Sequence, residues 1–332
     1  MRIGMTFDLK DEYLAAGFSA EEVAELDSPV TVEAIRQALV SQGHVVEAIG
    51  SVKSLVRGLV DGHRWDLVFN IAEGMHGLGR EAQVPALLDA WGIPYTFSGP
   101  EILALTLHKG WTNAVVCAHG VPTADFWIVS APETVEEVDL PFPLFVKPVA
   151  EGSSKGISAK SLVRSRKELR EVCAHVLETY RQPALVETYL PGREFTVGLL
   201  GSGKSSRVLG VMEVLSVADG DRSAYTYANK QEWRQRVRYS VVGDEKALQA
   251  ADVALAAWQA LGCLDAGRVD VRLDGQGRAR FIEVNPLAGL NPESSDLPIL
   301  CHHIGLEYDM LIAQIVESAA QRAKVRGLGA RQ

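Results

Sequence analysis

Two short runs near the C-terminal end alternate charged with apolar side chains: Arg268-Val269-Asp270-Val271-Arg272-Leu273 and, further on, Arg280-Phe281-Ile282-Glu283-Val284-Asn285. A period of two is the signature of a strand, because successive side chains point to opposite faces. Arg268, Asp270 and Arg272 therefore share one face and Val269, Val271 and Leu273 the other. In the second run Glu283 and Asn285 share a face opposite Ile282 and Val284. Asp274-Gly275-Gln276-Gly277 between the runs reads as a hairpin turn. With Gln276-Gly277 as its two-residue loop, Asp270 falls opposite Glu283 and Arg268 opposite Asn285. Like charges directly opposed destabilise a sheet. A divalent cation between them would convert the repulsion into a binding site, and two carboxylates with an amide oxygen are hard donors suited to Mg²⁺ beside phosphates. The plainer alternative is an exposed face on which Arg272 pairs the acids.

The rest of the chain divides into three segments. Residues 1–100 alternate strand and helix, with strands expected at 2–8, 44–49, 65–72 and 93–97. Ser28-Pro29 is a helix start, a capping hydroxyl followed by proline at the first helical position. Val32, Ile35 and Leu39 then fall on one face, and Gly43 ends the helix. This pattern predicts a small Rossmann-like domain with a parallel sheet. Residues 101–183 carry helices over 102–119 and 166–180 around a strand at 143–149. Residues 184–325 are strand-rich, at 184–190, 194–200, 207–217, 235–242, 267–273 and 280–284, with helices over 245–261 and 308–321. The fold class is therefore α/β, passing to α+β in the C-terminal part.

The 332 residues carry a net charge of −9. That balance argues against a general nucleic-acid or anionic-membrane binder, which needs a basic face, and leaves room for a few cations at a phosphate site. No apolar run is long enough to span a bilayer. With no N-terminal leader pattern, a cytoplasmic location is expected. Cys117, Cys173, Cys263 and Cys301 lack disulfide or metal spacing and read as reduced, mostly buried thiols.

Two motifs mislead. Gly198 to Ser205 fits the Walker A pattern letter for letter, but a strand-like run, Arg207 onward, follows where a phosphate loop requires a helix. Lys204 is therefore expected in a turn between strands. Gly77-Leu78-Gly79-Arg80-Glu81-Ala82 imitates a dinucleotide fingerprint, but follows the third strand and not the first. It reads better as a substrate loop carrying His76 and Glu81. A more informative run is Phe145-Val146-Lys147-Pro148, followed by Glu151-Gly152-Ser153-Ser154-Lys155-Gly156. A lysine ending an apolar strand, then hydroxyls and backbone N–H groups, can surround phosphates.

These motifs, taken with Gly92 to Gly99, His108-Lys109, Leu185 to Leu190, Gly192 to Val197 and Glu283 to Gly289, stand in an order that resembles the D-alanine–D-alanine ligases of the ATP-grasp superfamily. The resemblance covers nearly the whole chain. It implies an ADP-forming carboxylate–amine ligase that uses ATP and two Mg²⁺ (or Mn²⁺) ions to join two small amino acids, in the supply of peptidoglycan precursors. A homodimer is implied as well. Lys109 and Lys147 would contact the nucleotide, Glu187 and Leu190 would frame adenine, and Glu194 would take the ribose. Ser153 and Ser154 would lie over the phosphates, and Lys230 would reach the transferred phosphate from the loop 219–235. Arg268 would stabilise the tetrahedral intermediate, with Asp270, Glu283 and Asn285 on the metals. Gly289 and Ser294 would receive the second substrate, and His76, Glu81 and Gln231 would face the first.

The chain departs from the family around the amino-acid pockets. The family's N-terminal glycine-rich stretch with its substrate glutamate has no match, and Glu25 is the nearest stand-in. Gln231 stands where the family has a tyrosine. One extra residue precedes Leu297-Pro298, where Asp296 either adds a carboxylate to the second pocket or caps the next helix. These departures leave open a ligase of specialised metabolism with other substrates, or a nucleotide-binding protein without catalysis.

Overall fold

The computed structural model describes residues 1–216 and 237–325. Its strands form three sheets, each from one contiguous stretch of chain. The first is parallel, with β1 (Arg2–Thr6), β2 (Val45–Gly50) and β3 (Leu67–Asn70) in the order β2-β1-β3. Ile3 and Met5 in the central strand are fully buried. The crossover helix Pro29–Ser41 begins as its sequence demands. Ser28 accepts a hydrogen bond from the Thr31 backbone N–H at 3.3 Å, and Ile35 and Leu39 are buried against the sheet. The strand expected at 93–97 is reduced to a single bridge between Val68 and Tyr95. Phe97 there has φ +70°, outside the extended range.

The second sheet is antiparallel and comprises β4 (Phe126–Val129), β5 (Leu144–Pro148), β6 (Leu162–Val163) and β7 (Ala184–Thr188), ordered β4-β7-β5-β6. The helix Arg166–Tyr180 packs Leu169, Cys173 and Val176 on its back. β4 gives no clear alternation because it is an edge strand with Trp127 exposed.

The third sheet is antiparallel too: β8 (Glu194–Leu200), β9 (Arg207–Ser216), β10 (Val237–Val241), β11 (Ala266–Leu273) and β12 (Ala279–Asn285), ordered β10-β9-β8-β11-β12. The helix Glu245–Leu261 covers one face with Ala247, Ala250, Ala254, Ala257 and Trp258, all fully buried. Asp244 caps its start, accepting from the backbone of Lys246 and Ala247, and Gly262 ends it in the left-handed region. The Walker-like segment begins in the end of β8 and passes through one tight turn, Gly203–Ser205, before β9, with Lys204 exposed.

The charged hairpin pairs Asp270 with Glu283 and Arg268 with Asn285. It reaches that register by two offsetting irregularities. The loop is one residue longer than expected, since the Asp274 N–H donates to the Arg278 carbonyl. A β-bulge between Asp270 and Val271 then pairs Val271 with Phe281 and leaves Ile282 extra. The bulge turns Ile282 to the same cleft as Glu283. That corrects its expected place on the apolar face with Val284.

The helix expected over 102–119 is two helices, Pro100–Leu107 and Lys109–Ala118. His108 is extended between them. Its ring accepts from the Trp111 backbone N–H at 3.1 Å and stacks on the Trp111 ring at 4.1 Å. This break makes Lys109 the first residue of the second helix.

The cores are less contiguous than the sheets. The cluster around Ile3, Phe69 and Leu39 also takes Leu200, Ala266, Leu297, Cys301 and, from the closing helix Tyr308–Val325, Leu311, Ile315 and Ala319. Cys173, Cys263 and Cys301 are buried in three different clusters, and Cys117 is exposed. Asp265 ties these parts together. Fully buried, it accepts from the Phe97 backbone N–H at 2.7 Å, from Ser318 at 2.7 Å and from Arg322 at 2.6 and 2.9 Å. Arg322 also donates to the carbonyls of Tyr95 and Phe97.

Removing one partner of such a pair strands a buried charge. Asp265→Ala is expected to lower the unfolding free energy by about 3–5 kcal/mol. Arg322→Ala should cost a comparable amount and the double variant clearly less than the sum. Urea unfolding of the three variants measures this, and additive losses would show that the two residues act independently.

Candidate active site

Two clefts meet on the open face of the third sheet. The smaller, about 140 Å³, lies between the second and third sheets. The larger, about 580 Å³, runs toward the first sheet. Ser153, Tyr239, Arg268 and Asp296 line both.

The smaller cleft collects Lys147 from the end of β5, Glu187 from β7, Glu194 from β8, Asp270 from β11 and Glu283 from β12, with Leu190 and Ser154 on its walls. Lys147 and Glu187 form an ion pair at 2.7 Å and are almost completely buried. Burial works against the lysine's charge, but Glu187 and then Glu283 hold its pKa above the ordinary value. Asn113 donates to the other side of Glu187 at 3.0 Å. Asp270 accepts from Thr196 at 2.8 Å and lies 3.4 Å from Arg268. Burial raises its pKa to about 6; Arg268 opposes that shift and Glu283, across the ladder, adds to it.

Ser153 and Ser154 both hold left-handed backbone, at φ +49° and +58°. Non-glycine residues there cost of order 1–3 kcal/mol each, a strain that clusters at ligand clamps. A Cβ at Gly152 beside them would stand 2.6 Å from the Glu25 carboxylate and would push that side chain away. Gly267 is pinned by backbone, because a Cβ there would stand 2.5 Å from the Asn285 carbonyl. Lys109 reaches across the junction, donating to the Glu151 carbonyl at 2.6 Å and pairing Glu283 at 3.4 Å. Asn285 lines the larger cleft, and its amide nitrogen is buried without a partner among the described residues.

Of the residues expected on the substrate side, Glu81, Gly289 and Ser294 line the larger cleft. His76 does not. It is exposed, with its ring 6.0 Å from that of Phe18. Lys230 and Gln231 lie outside the described residues. The loop instead contributes Glu73 and Arg80, which the sequence reading passed over. Glu73 follows closely on the end of the buried strand β3, the end at which parallel sheets place their ligands; that position was the available signal. Arg80 pairs Glu25 at 2.6 Å and donates to the Ala150 carbonyl at 3.1 Å. Glu25 accepts in turn from the Gly152 N–H. Burial opposes the charge on Glu25, but Arg80 keeps its pKa below the usual carboxylate range. Asp296 begins the helix Asp296–His303, accepts from the Tyr239 hydroxyl at 2.8 Å and pairs Arg268. Its side chain faces the clefts, so it is more than a helix-starting residue.

Replacing Lys147 by Met alone strands Glu187 and is expected to cost about 3–5 kcal/mol. The double variant Lys147→Met/Glu187→Gln should recover most of that loss. Thermal unfolding of the three proteins tests this, and a double variant as unstable as the single would exclude a buried ion pair as the cause.

Residues 115–317 match the family described as D-ala D-ala ligase C-terminus. A D-alanine–D-alanine ligase of Gluconobacter oxydans (strain 621H) is 32% identical over 319 residues, covering 95% of this chain and 100% of that protein. One from Acidiphilium cryptum (strain JF-5) is 36% identical over 260 residues, covering 77% and 81%. The crystal structure of a D-alanine–D-alanine ligase from Bacillus anthracis complexed with ATP superposes with a TM-score of 0.73 at 22% identity, covering 98% and 99% of the two chains. The chain belongs to the D-alanine–D-alanine ligase family and has the ATP-grasp fold.

Proposed function

We propose that the chain is an ADP-forming ligase that joins two amino acids, D-alanine and D-alanine or a close variant of that pair, in the supply of peptidoglycan precursors. The observation that carries this reading is the junction of the two clefts. A cleft that sets Lys147, Arg268 and Arg272 beside the carboxylates of Asp270 and Glu283, a mix suited to a nucleotide with divalent cations, opens at Arg268 into a larger polar cleft suited to amino acids. Relatives named for this activity match over most of their length.

On this reading Lys147 and Lys109 bind the nucleotide's phosphates, Glu187 and Leu190 hold adenine, and Glu194 takes the ribose. The strained turn at Ser153 and Ser154 aims backbone N–H groups at the phosphates. The first substrate's carboxylate attacks the γ-phosphate and ADP leaves. The second substrate's amine attacks the resulting acyl phosphate, and Arg268 neutralises the charge on the tetrahedral oxygen. Lys230 would act from outside the described residues. Positioning and charge neutralisation carry the rate.

The donor set fits Mg²⁺ or Mn²⁺. Asp270 and Glu283 face each other across the ladder and both line the smaller cleft, and the amide oxygen of Asn285, two residues on from Glu283 on the same strand, is a third hard donor. These three residues would hold two ions, which when bound supply charge neutralisation at the phosphates. Cytoplasmic location and a homodimer belong to the same proposal; no helix among the described residues is long and apolar enough to cross a membrane. The division into segments 1–100, 101–183 and 184–325 also stands as a proposal. Separate sheets support it, and the shared core crosses it.

Incubation with ATP, Mg²⁺ and D-alanine is expected to yield ADP and phosphate. AMP with pyrophosphate would overturn the reading. Glu283→Gln should abolish Mg²⁺-dependent turnover while leaving the metal-free protein as stable as the parent or more so, because the opposed carboxylates no longer repel. Metal binding needs the ionised carboxylates. With the Asp270 carboxyl at about 6, Mg²⁺ affinity should therefore fall as pH drops through that value. A flat pH profile for Mg²⁺ affinity would remove Asp270 from the metal set.

A further inference from the structure

One wall of the larger cleft holds more acidic side chains than its one cation, Arg80, can pair. Glu25, Glu73 and Glu81 surround the single guanidinium of Arg80, and each of them favours its charged form. Glu25 takes the ion pair. Glu81 is only 9% exposed and lines the cleft, yet no hydrogen bond or ion pair reaches its carboxylate among the described residues. Glu73, half-buried, lines the same wall, and no hydrogen bond or ion pair reaches its carboxylate among the described residues either. Asp27, a fourth acid on that wall, also has no ion pair for its carboxylate among the described residues.

The nearby cations are already engaged. Lys109 pairs Glu283, Lys155 pairs Glu151, and Arg268 pairs Asp296 and Asp270. Lys10 acts on Asp27 without forming an ion pair. Burial, with the neighbouring acids, raises Glu73 well above the carboxylate range, and burial raises Glu81 and Asp27 to about 7. A native protein keeps such groups unpaired at a cost, and sites that do so are commonly functional.

We propose that this wall selects an amino acid bearing a second ammonium on its side chain, the α-ammonium and the side-chain ammonium taking the carboxylates of Glu73 and Glu81. The inference rests on the ligase reading above and names the substrate class of its larger cleft. An ordinary small amino acid brings one positive charge and leaves at least one of these two carboxylates without a partner. A diamino acid satisfies both. Its binding draws protons off the two glutamates, so affinity rises with pH across the neutral range. A divalent cation in the same cluster is the competing occupant.

The test compares 2,3-diaminopropionate, ornithine and lysine, in both enantiomers, with neutral isosteres of matched length. Each is supplied with ATP and Mg²⁺, alone and paired with D-alanine, and phosphate release is followed. At least one diamino acid should exceed its isostere in kcat/KM by roughly thirtyfold or more, the scale of losing one partner of a buried charge pair. Glu81→Gln and Glu73→Gln should each reduce that ratio at least about tenfold, with melting temperatures confirming that both variants fold. The inference is overturned if neutral substrates equal or outperform their cationic partners, or if neither substitution moves the ratio. If no pair releases phosphate, the ligase reading fails separately. Calorimetry then decides the inference, with binding of the diamino acids accompanied by proton release supporting it and no binding overturning it. Mg²⁺ titrated alone, bound by the parent and lost in Glu81→Gln without any amino-acid preference, would assign the cluster to a metal.

Discussion

Asp265 is the constraint on which the arrangement of the sheets depends. It lies immediately before β11, fully buried, at a left-handed φ of +64°. Its carboxylate holds the loop after the first sheet through Phe97 and the closing helix through Ser318 and Arg322. Its carbonyl accepts from the Gly201 N–H at the end of β8. Three parts distant in sequence thus converge on one residue two positions before Gly267. The charged face of β11 is thereby set relative to the first sheet, and with it the depth of the larger cleft.

Electrostatics divide the two clefts differently. In the smaller one Lys147 is matched by Glu187, with Asn113 behind them, and the opposed pair is Asp270 and Glu283. In the larger one the acids are unmatched along the wall of Glu73 and Glu81. Lys109 stands between the two regimes, at a helix start created by the break at His108. A continuous helix through 102–119 would alter the direction of its side chain.

The smaller cleft was legible because strand alternation is a strong local signal. Asp270, Glu283, Lys147 and Glu187 all lie on strands whose faces their apolar neighbours fix. Even the hairpin register was right at Asp270 and Glu283, although the loop was misjudged by one residue, because the bulge at Ile282 restores it. The larger cleft was less legible for a physical reason. Glu25, Glu73, Arg80 and His76 lie on loops, where no periodicity says which side chain points inward. His76 looked chemically apt and points to solvent, whereas Glu73 looked like an ordinary turn residue and lines the cleft. The edge strand β4 and the break at His108 were missed for a related reason. Both depend on contacts with distant residues, such as the Lys109 N–H donating to the Val149 carbonyl.

The cysteines give the fold a built-in chemical readout of its opening. Cys173, Cys263 and Cys301 occupy separate apolar clusters, and burial lifts all three thiols, Cys173 and Cys301 to about 12. A thiol so protonated and shielded does not meet an alkylating reagent in the closed molecule. Cys117 is exposed on the helix Lys109–Ala118 and serves as the internal standard. The order in which the other three become alkylated, located by peptide mapping, reports which core lets solvent in first, without a single mutation.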